Sequence, residues 1–136
     1  MELDQAREFV RDHHHAVLAT RTRTGGIQQT PVLVAVDEKG RFVISSRETA
    51  FKAKNLRRDP RTRLCVFSDK FFGEWIYVEG TADVLSLPEA MEPLVDYYRM
   101  LAGEHHDWDE YRQSMQQEQR VILRIDATRA GPDRQG

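Results

Sequence analysis

Cysteine, lysine and long apolar runs are the scarce features of this 136-residue chain. Its one cysteine, Cys65, excludes an intrachain disulfide framework and points to a reducing compartment. It lies within the apolar run 62–67, where a small buried hydrophobe is the plain reading. No apolar run approaches the roughly 20 residues of a membrane-spanning helix. The N-terminus is charged and lacks the apolar core of a signal peptide. The expectation is a cytoplasmic protein with no membrane partner. A positive excess is missing too: 20 Lys and Arg stand against 22 Asp and Glu, a formal charge of −2. That balance, without a recognisable binding motif, argues against a nucleic-acid partner. Repeats and linkers are also absent. The length suits one domain with one core, expected over residues 1–126. A tail at 127–136, almost without apolar content, is expected to be mobile.

What is present reads as strands joined by short turns. Leu3, Ala6, Phe9 and Val10 recur at helical spacing and predict a short opening helix. A strand over 16–22 follows, then a turn at Thr24-Gly25-Gly26, where adjacent glycines accept a positive φ. The returning strand spans 27–36. Pro31 within it cannot donate to a ladder, so its position must face an edge, a bulge or a ligand. The turn 37–40 leads to a strand at 41–46, and further strands are expected at 62–68, 74–85 and 120–125. Ser86 and Glu89 have the spacing of a capping box and predict a helix starting at Ser86, with Gly103 as its C-cap. Asp107 predicts the N-terminus of a last helix, running to about Gln117. Six strands with successive hairpins favour antiparallel pairing, and a small barrel with peripheral helices buries their faces with few open edges.

Between the strands at 41–46 and 62–68 lies Thr49-Ala-Phe-Lys-Ala-Lys-Asn-Leu-Arg-Arg-Asp-Pro60. Only four of the 20 basic residues are lysines, and two of them, Lys52 and Lys54, fall here. A helix N-terminus offers free N–H groups and a positive dipole end, and neighbouring lysines add full charge. The combination suits an anionic ligand such as a phosphorylated cofactor; a solvated basic helix is the plainer alternative. Arg57 and Arg58 complement the helix C-terminal dipole, and Pro60 ends the helix.

The arrangements Val17-Leu-Ala-Thr20, Thr30-Pro-Val32, Lys52-Ala-Lys-Asn-Leu-Arg-Arg-Asp-Pro60 and Val78-Glu-Gly-Thr-Ala82 resemble the split β-barrel flavin and deazaflavin oxidoreductases related to pyridoxamine 5′-phosphate oxidase. The segment 98–115, above all Gly103–Tyr111, is similar to the branch that uses the deazaflavin coenzyme F420 in actinobacteria and their neighbours. The resemblance spans about residues 5–125. It implies a mainly β fold, a six-stranded antiparallel split barrel of the FMN-binding type. It also implies a homodimer with cofactor sites in the grooves between subunits. On matching positions, Lys52 would bind the cofactor phosphate with Ser45, Ser46 and the helix start near Thr49. Lys54 and Asn55 would extend that site or contact the cofactor's polyglutamate tail, and Gln29, Thr30, Pro31 and Val32 would lie against the ring. Trp75 and Tyr77 would reach it from the other subunit. Ala50 and Phe51 stand where relatives often carry another basic residue, so either Arg47 substitutes or the phosphate has fewer contacts. The tail also lacks the apolar ending of relatives.

The activity so implied is hydride transfer between F420 and a small conjugated organic acceptor. In such chemistry the cofactor supplies the reacting carbon and the protein supplies binding and orientation. An FMN enzyme of the same fold, either a pyridoxamine-phosphate-type oxidase or a flavin reductase, is the first alternative. A non-catalytic protein holding F420, flavin or a tetrapyrrole is the second. No catalytic residue is assigned. His13-His14-His15 and His105-His106 do not carry metal-site spacing, so no metal is expected. His105 and Asp107 are expected to cap the loop before the last helix and to hold Glu104 and Arg112 in a polar network.

Overall fold

The computed structural model describes residues 1–133. Helix α1 (Leu3–Asp12) is followed by strands β1 (His15–Arg21), β2 (Ile27–Leu33), β3 (Ala35–Val36) and β4 (Phe42–Arg47). Helix α2 (Phe51–Arg58) leads to β5 (Arg61–Phe67) and β6 (Trp75–Leu85). Helices α3 (Met91–Ala102) and α4 (Trp108–Gln117) precede the last strand, β7 (Arg120–Gly131). All pairings are antiparallel, and the order across the sheet is β2-β1-β5-β6-β7-β4-β3. The expected split barrel is therefore present, with seven strands rather than six.

The extra strand comes from a break in the segment expected as one strand over 27–36. Residues up to Leu33 pair with β1, whereas Ala35 and Val36 pair with β4. Val34 lies between them, fully buried, and its N–H donates to the His14 carbonyl at 2.8 Å. One short stretch of chain thus supplies both edges of the sheet. Edges that are two residues apart in sequence must be close in space, so the sheet curls until they meet. Pro31 lies on β2, an edge strand, where its missing N–H costs no ladder bond.

Two apolar clusters flank the sheet. Alternation turns Leu18, Leu64, Val66, Val78, Phe42, Ile44, Leu123 and Ile125 into the barrel, where α1 and α2 close the ends with Val10 and Leu56. The opposite face of β4 and β7 offers Val43 and Ile122, which pack against Leu94, Val95 and Tyr111 of α3 and α4. The sheet wall between barrel and helices is therefore apolar on both sides.

Three expectations change. Helix α3 starts at Met91, not at Ser86: the Ser86 hydroxyl donates to Glu48 and accepts from Arg57, so it is not free to cap. The chain from 127 was expected to be mobile, but β7 continues to Gly131. Ala130 is buried opposite Val78, and the ladder with β6 orders the segment. Residues 134–136 of that tail lie outside the described residues. Arg112 binds Glu92 at 2.7 Å rather than Glu104, which instead accepts from Arg99 and Trp108. Asp107 does cap α4, accepting from the Glu110 N–H at 3.2 Å. Gly103 does end α3, with φ at 79°.

The register of β6 and β7 shifts at Glu79/Gly80. A Cβ at Gly80 would collide with the Asp126 carbonyl oxygen and lie 2.9 Å from Ala127 Cα. The Gly80→Ala variant is expected to lose about 1–3 kcal/mol of stability through overpacking against rigid backbone. Urea denaturation checks this; an unchanged midpoint would contradict the packing.

Candidate functional site

A cavity of about 870 Å³ opens where the curled sheet meets α3 and α4. That size lies within the range of about 300–1,000 Å³ typical of small-molecule sites. Its floor is apolar, from Ala16, Val17, Pro31, Val32 and Leu33 on β1 and β2. One end carries Ser45, Lys52 and Arg120. The other wall is aromatic and polar, with Tyr97, Tyr98, His105 and Tyr111 from the helices and the loop between them. Phe67 and Phe71 stand at the rim, and Phe71 is 77% exposed.

The cationic end follows from local folding. Strand β4 ends in Ser45-Ser46-Arg47, and α2 begins at Phe51 with no side-chain cap. Lys52 on its first turn projects into the cavity, and Arg120 at the start of β7 lies opposite Arg47 in the ladder. Glu118 accepts from both arginines, at 2.9 Å each, which holds its carboxyl below the ordinary carboxylate range. One carboxylate thus serves two arginines, and Lys52 forms no ion pair with the described residues. Burial lowers the Lys52 pKa, and the Arg120 charge lowers it further. The end of the cavity therefore carries more positive charge than its protein partners neutralise. That arrangement suits an anion.

The period of two along strands sorts the expected site residues. Pro31, Val32, Ser45 and Lys52 come together in the cavity. Ser46 belongs to the inward face with Phe42 and Ile44; it is buried, and its hydroxyl is unpartnered among the described residues. Thr30 has a buried, equally unpartnered hydroxyl, and Gln29 is exposed on β2 outside the cavity. Arg47 is turned toward Glu118. Lys54 stands over the Phe51 ring at 5.6 Å and lines a separate depression with Gln28 and Arg58. Asn55 is buried, donates to Thr20 and Gln28 at 3.1 Å each, and accepts from Arg58, so it anchors α2 to the sheet. Trp75 and Tyr77 sit on the outer face of β6, opposite Phe67 and Cys65, beyond the cavity of a single chain.

Sequence reasoning missed Arg120, Tyr97 and His15. Arg120 is one of many arginines, and only the ladder β4–β7 brings it beside Lys52. Tyr97 links β2 to β4 beyond the end of β3: its hydroxyl donates to the Leu33 carbonyl at 2.8 Å, and the Ser45 backbone N–H faces its oxygen. Burial nevertheless raises its pKa. Tyr111, whose hydroxyl donates to the Leu94 carbonyl, is pushed up to about 12, mainly by burial. The three neighbouring histidines diverge: His13 packs on Phe9, His14 Nδ1 meets the Val34 carbonyl at 2.9 Å, and only His15 lines the cavity.

A split barrel with a cation-ended cavity on its seam defines the class of protein. The chain belongs to the pyridoxamine 5′-phosphate oxidase family, whose sequence profile matches residues 3–131. Among solved structures it is similar to the conserved hypothetical protein Rv2991 from Mycobacterium tuberculosis, at 28% identity and a TM-score of 0.77, covering 96% of this chain and 82% of that one. It is similar in fold to an F420 reductase, at 16% identity and a TM-score of 0.71 over 92% of this chain and 94% of the other. HutZ, the heme storage protein from Vibrio cholerae, shares the fold at 15% identity and a TM-score of 0.71 over 96% and 94%.

The folded-state pKa of Lys52 lies below its ordinary 10.5. In the window just under that value the unfolded chain binds more protons, so this group makes stability rise with pH there. In Arg120→Gln the like charge is gone while burial, the larger cause, remains. The Lys52 pKa is then expected to move part of the way back up, as read from a side-chain NMR titration. An unmoved midpoint would show that the two cations do not sense each other.

Proposed function

We propose that this protein is an F420-dependent oxidoreductase that transfers a hydride between the deazaflavin and a small conjugated organic acceptor. The observation that carries the reading is the excess of unneutralised cation at one end of a cavity with an apolar floor. Lys52, Arg120 and the Ser45 hydroxyl suit a phosphate. The floor of Val17, Pro31 and Val32 suits a planar ring. When bound, the deazaflavin supplies the carbon that carries the hydride. Lys52, Arg120 and Ser45 would hold the phosphate, the β1–β2 residues would hold the ring, and the α3–α4 wall would shield it from water. The deazaflavin is favoured over FMN by the segment 103–111, which resembles the F420-using branch and contributes His105, Glu110 and Tyr111 to the cavity. The F420 reductase among the structural neighbours supports the fold's suitability for that cofactor.

The working form proposed is a homodimer. Residues on the outer face of β1, β2, β5 and β6, among them Val17, Pro31, Cys65, Phe67 and Tyr77, line up across the ladder as a half-exposed apolar surface. Phe72 beside it is 97% exposed. A second copy on this face would cover it and bring Trp75 and Tyr77 toward the neighbouring cavity. No helix among the described residues is long and apolar enough to cross a membrane. Sedimentation analysis is expected to give twice the chain mass, and Tyr77→Glu to shift it toward the monomer. A wild-type monomer at micromolar concentration would remove the dimer from the reading.

Titration of the protein with F420 and with FMN, followed by fluorescence, tests the cofactor. Micromolar or tighter F420 binding with much weaker FMN binding is expected. In Lys52→Ala, folding intact, F420 affinity should fall about tenfold or more, as befits one charge-assisted phosphate contact. The reverse preference would assign the cavity to FMN, and binding of neither would overturn the cofactor reading.

A further inference from the structure

We propose that His105 is a fixed, neutral hydrogen-bond donor that recognises the carbonyl oxygen of the acceptor through its Nε2–H. The inference rests on the oxidoreductase reading for its chemistry and on the loop 103–107 for its geometry. The Asp107 backbone N–H donates to His105 Nδ1 at 2.9 Å. An Nδ1 that accepts a hydrogen bond carries no proton, so in the neutral ring the hydrogen sits on Nε2. Turning the ring over would set a C–H against that N–H, which the network disfavours. Nε2 has no partner among the described residues, and the ring lines the cavity.

The ring is also held by four neighbouring rings. It stacks on His106 at 4.5 Å with an interplanar angle of 19°. Tyr98, Tyr111 and Trp108 pack against it at centroid distances of 5.1, 5.6 and 5.7 Å. Trp108 is fixed in turn by its Nε1–H to Glu104 and by Arg99 over its face at 4.8 Å. Asp107 serves twice, since its carboxylate caps α4 while its N–H sets the His105 tautomer. A donor locked by packing and by the backbone loses little entropy when a ligand arrives.

The chemistry follows from the tautomer. A neutral Nε2–H does not give up its proton, but it polarises a carbonyl and holds a developing oxyanion. A bound reduced deazaflavin would supply the hydride and be oxidised in doing so; Nε2–H would hold the negative charge that develops on the acceptor's carbonyl oxygen, and water would supply the proton that completes reduction of the acceptor's double bond. The ligand class is therefore a conjugated carbonyl compound. An Nε2 that carries hydrogen has no lone pair to offer a metal ion, so this tautomer does not suit His105 to ligate iron.

Coumarin, a planar unsaturated lactone, and naphthalene, of the same shape without a carbonyl, are the probes. Equilibrium dialysis on the wild type is expected to show tighter coumarin binding. His105→Phe, which keeps an aromatic ring in the cluster, should weaken coumarin about fivefold and leave naphthalene unchanged; one neutral hydrogen bond supplies that much. His105→Gln, with an amide N–H, should recover part of the loss. Equal loss of both probes, no loss of either, or no coumarin binding by the wild type overturns the proposal. Should His105→Phe fail to fold, histidine 15N NMR of the wild type near about pH 8 decides: the Nε2–H tautomer at His105 supports it and the Nδ1–H tautomer overturns it. A hemin spectrum that changes in His105→Phe would also overturn it. F420 titrations on the same samples keep the two ideas apart, because failure to bind F420 sinks the oxidoreductase reading and leaves the coumarin-to-naphthalene ratio untouched.

Discussion

Chain continuity through Val34 is the constraint on which the rest of the molecule depends. A seven-stranded antiparallel sheet has no need to close. This one must, because Leu33 belongs to one edge and Ala35 to the other. The backbone at the junction is secured by the Val34 N–H to His14, and the edges beyond it diverge. Tyr97 spans the gap with its hydroxyl, reaching the Leu33 carbonyl on one side and facing the Ser45 N–H on the other. Edge groups that would otherwise be left unpaired near the cavity are thereby partnered by a side chain. The cavity is the space that the incomplete seam leaves.

The seam also explains where charge can be placed. Strand β7 begins and β4 ends at the same point of the ladder, so Arg120 and Arg47 face each other and share Glu118. Lys52 arrives on α2, which Asn55 ties to β1 and β2 from behind. Holding two cations in a partly buried place is costly unless an anion completes the set. The opposite wall is built by a different means, from stacked aromatic rings and one backbone-fixed imidazole. In the proposed reading the cationic end serves the cofactor's phosphate and the imidazole wall serves the acceptor's carbonyl.

Much of this was legible in the sequence, for identifiable reasons. The glycine turn at 24–26, the Gly103 terminus and the Asp107 cap are local signals read without tertiary knowledge, and each is found in place. The antiparallel barrel followed from strand count and short turns. The split of 27–36 into two strands was not legible, because Val34 is as apolar as its neighbours and only its partner in space distinguishes it. Ser86 looked like a cap because local spacing cannot show that Arg57 and Glu48 claim its hydroxyl. Alternation alone should have separated Ser45 from Ser46, one facing the helices and the other the barrel interior. Arg120 was hidden because its neighbour Lys52 is 68 residues away in sequence (120 − 52).

The ladder between β4 and β7 joins residues far apart in the chain: Phe42 pairs with Ile125, a separation of 83 residues (125 − 42). During synthesis β4 therefore has only the two-residue β3 to pair with until β7 exists. Until β7 arrives, β6 and β4 both present open edges, and the barrel-facing side chains of both strands stay uncovered. Long-range pairing of this kind slows folding and leaves sticky intermediates on the ribosome. The last strand is thus the stave that closes the cask, and truncation inside it would leave a nascent chain exposed to aggregation rather than a smaller folded protein.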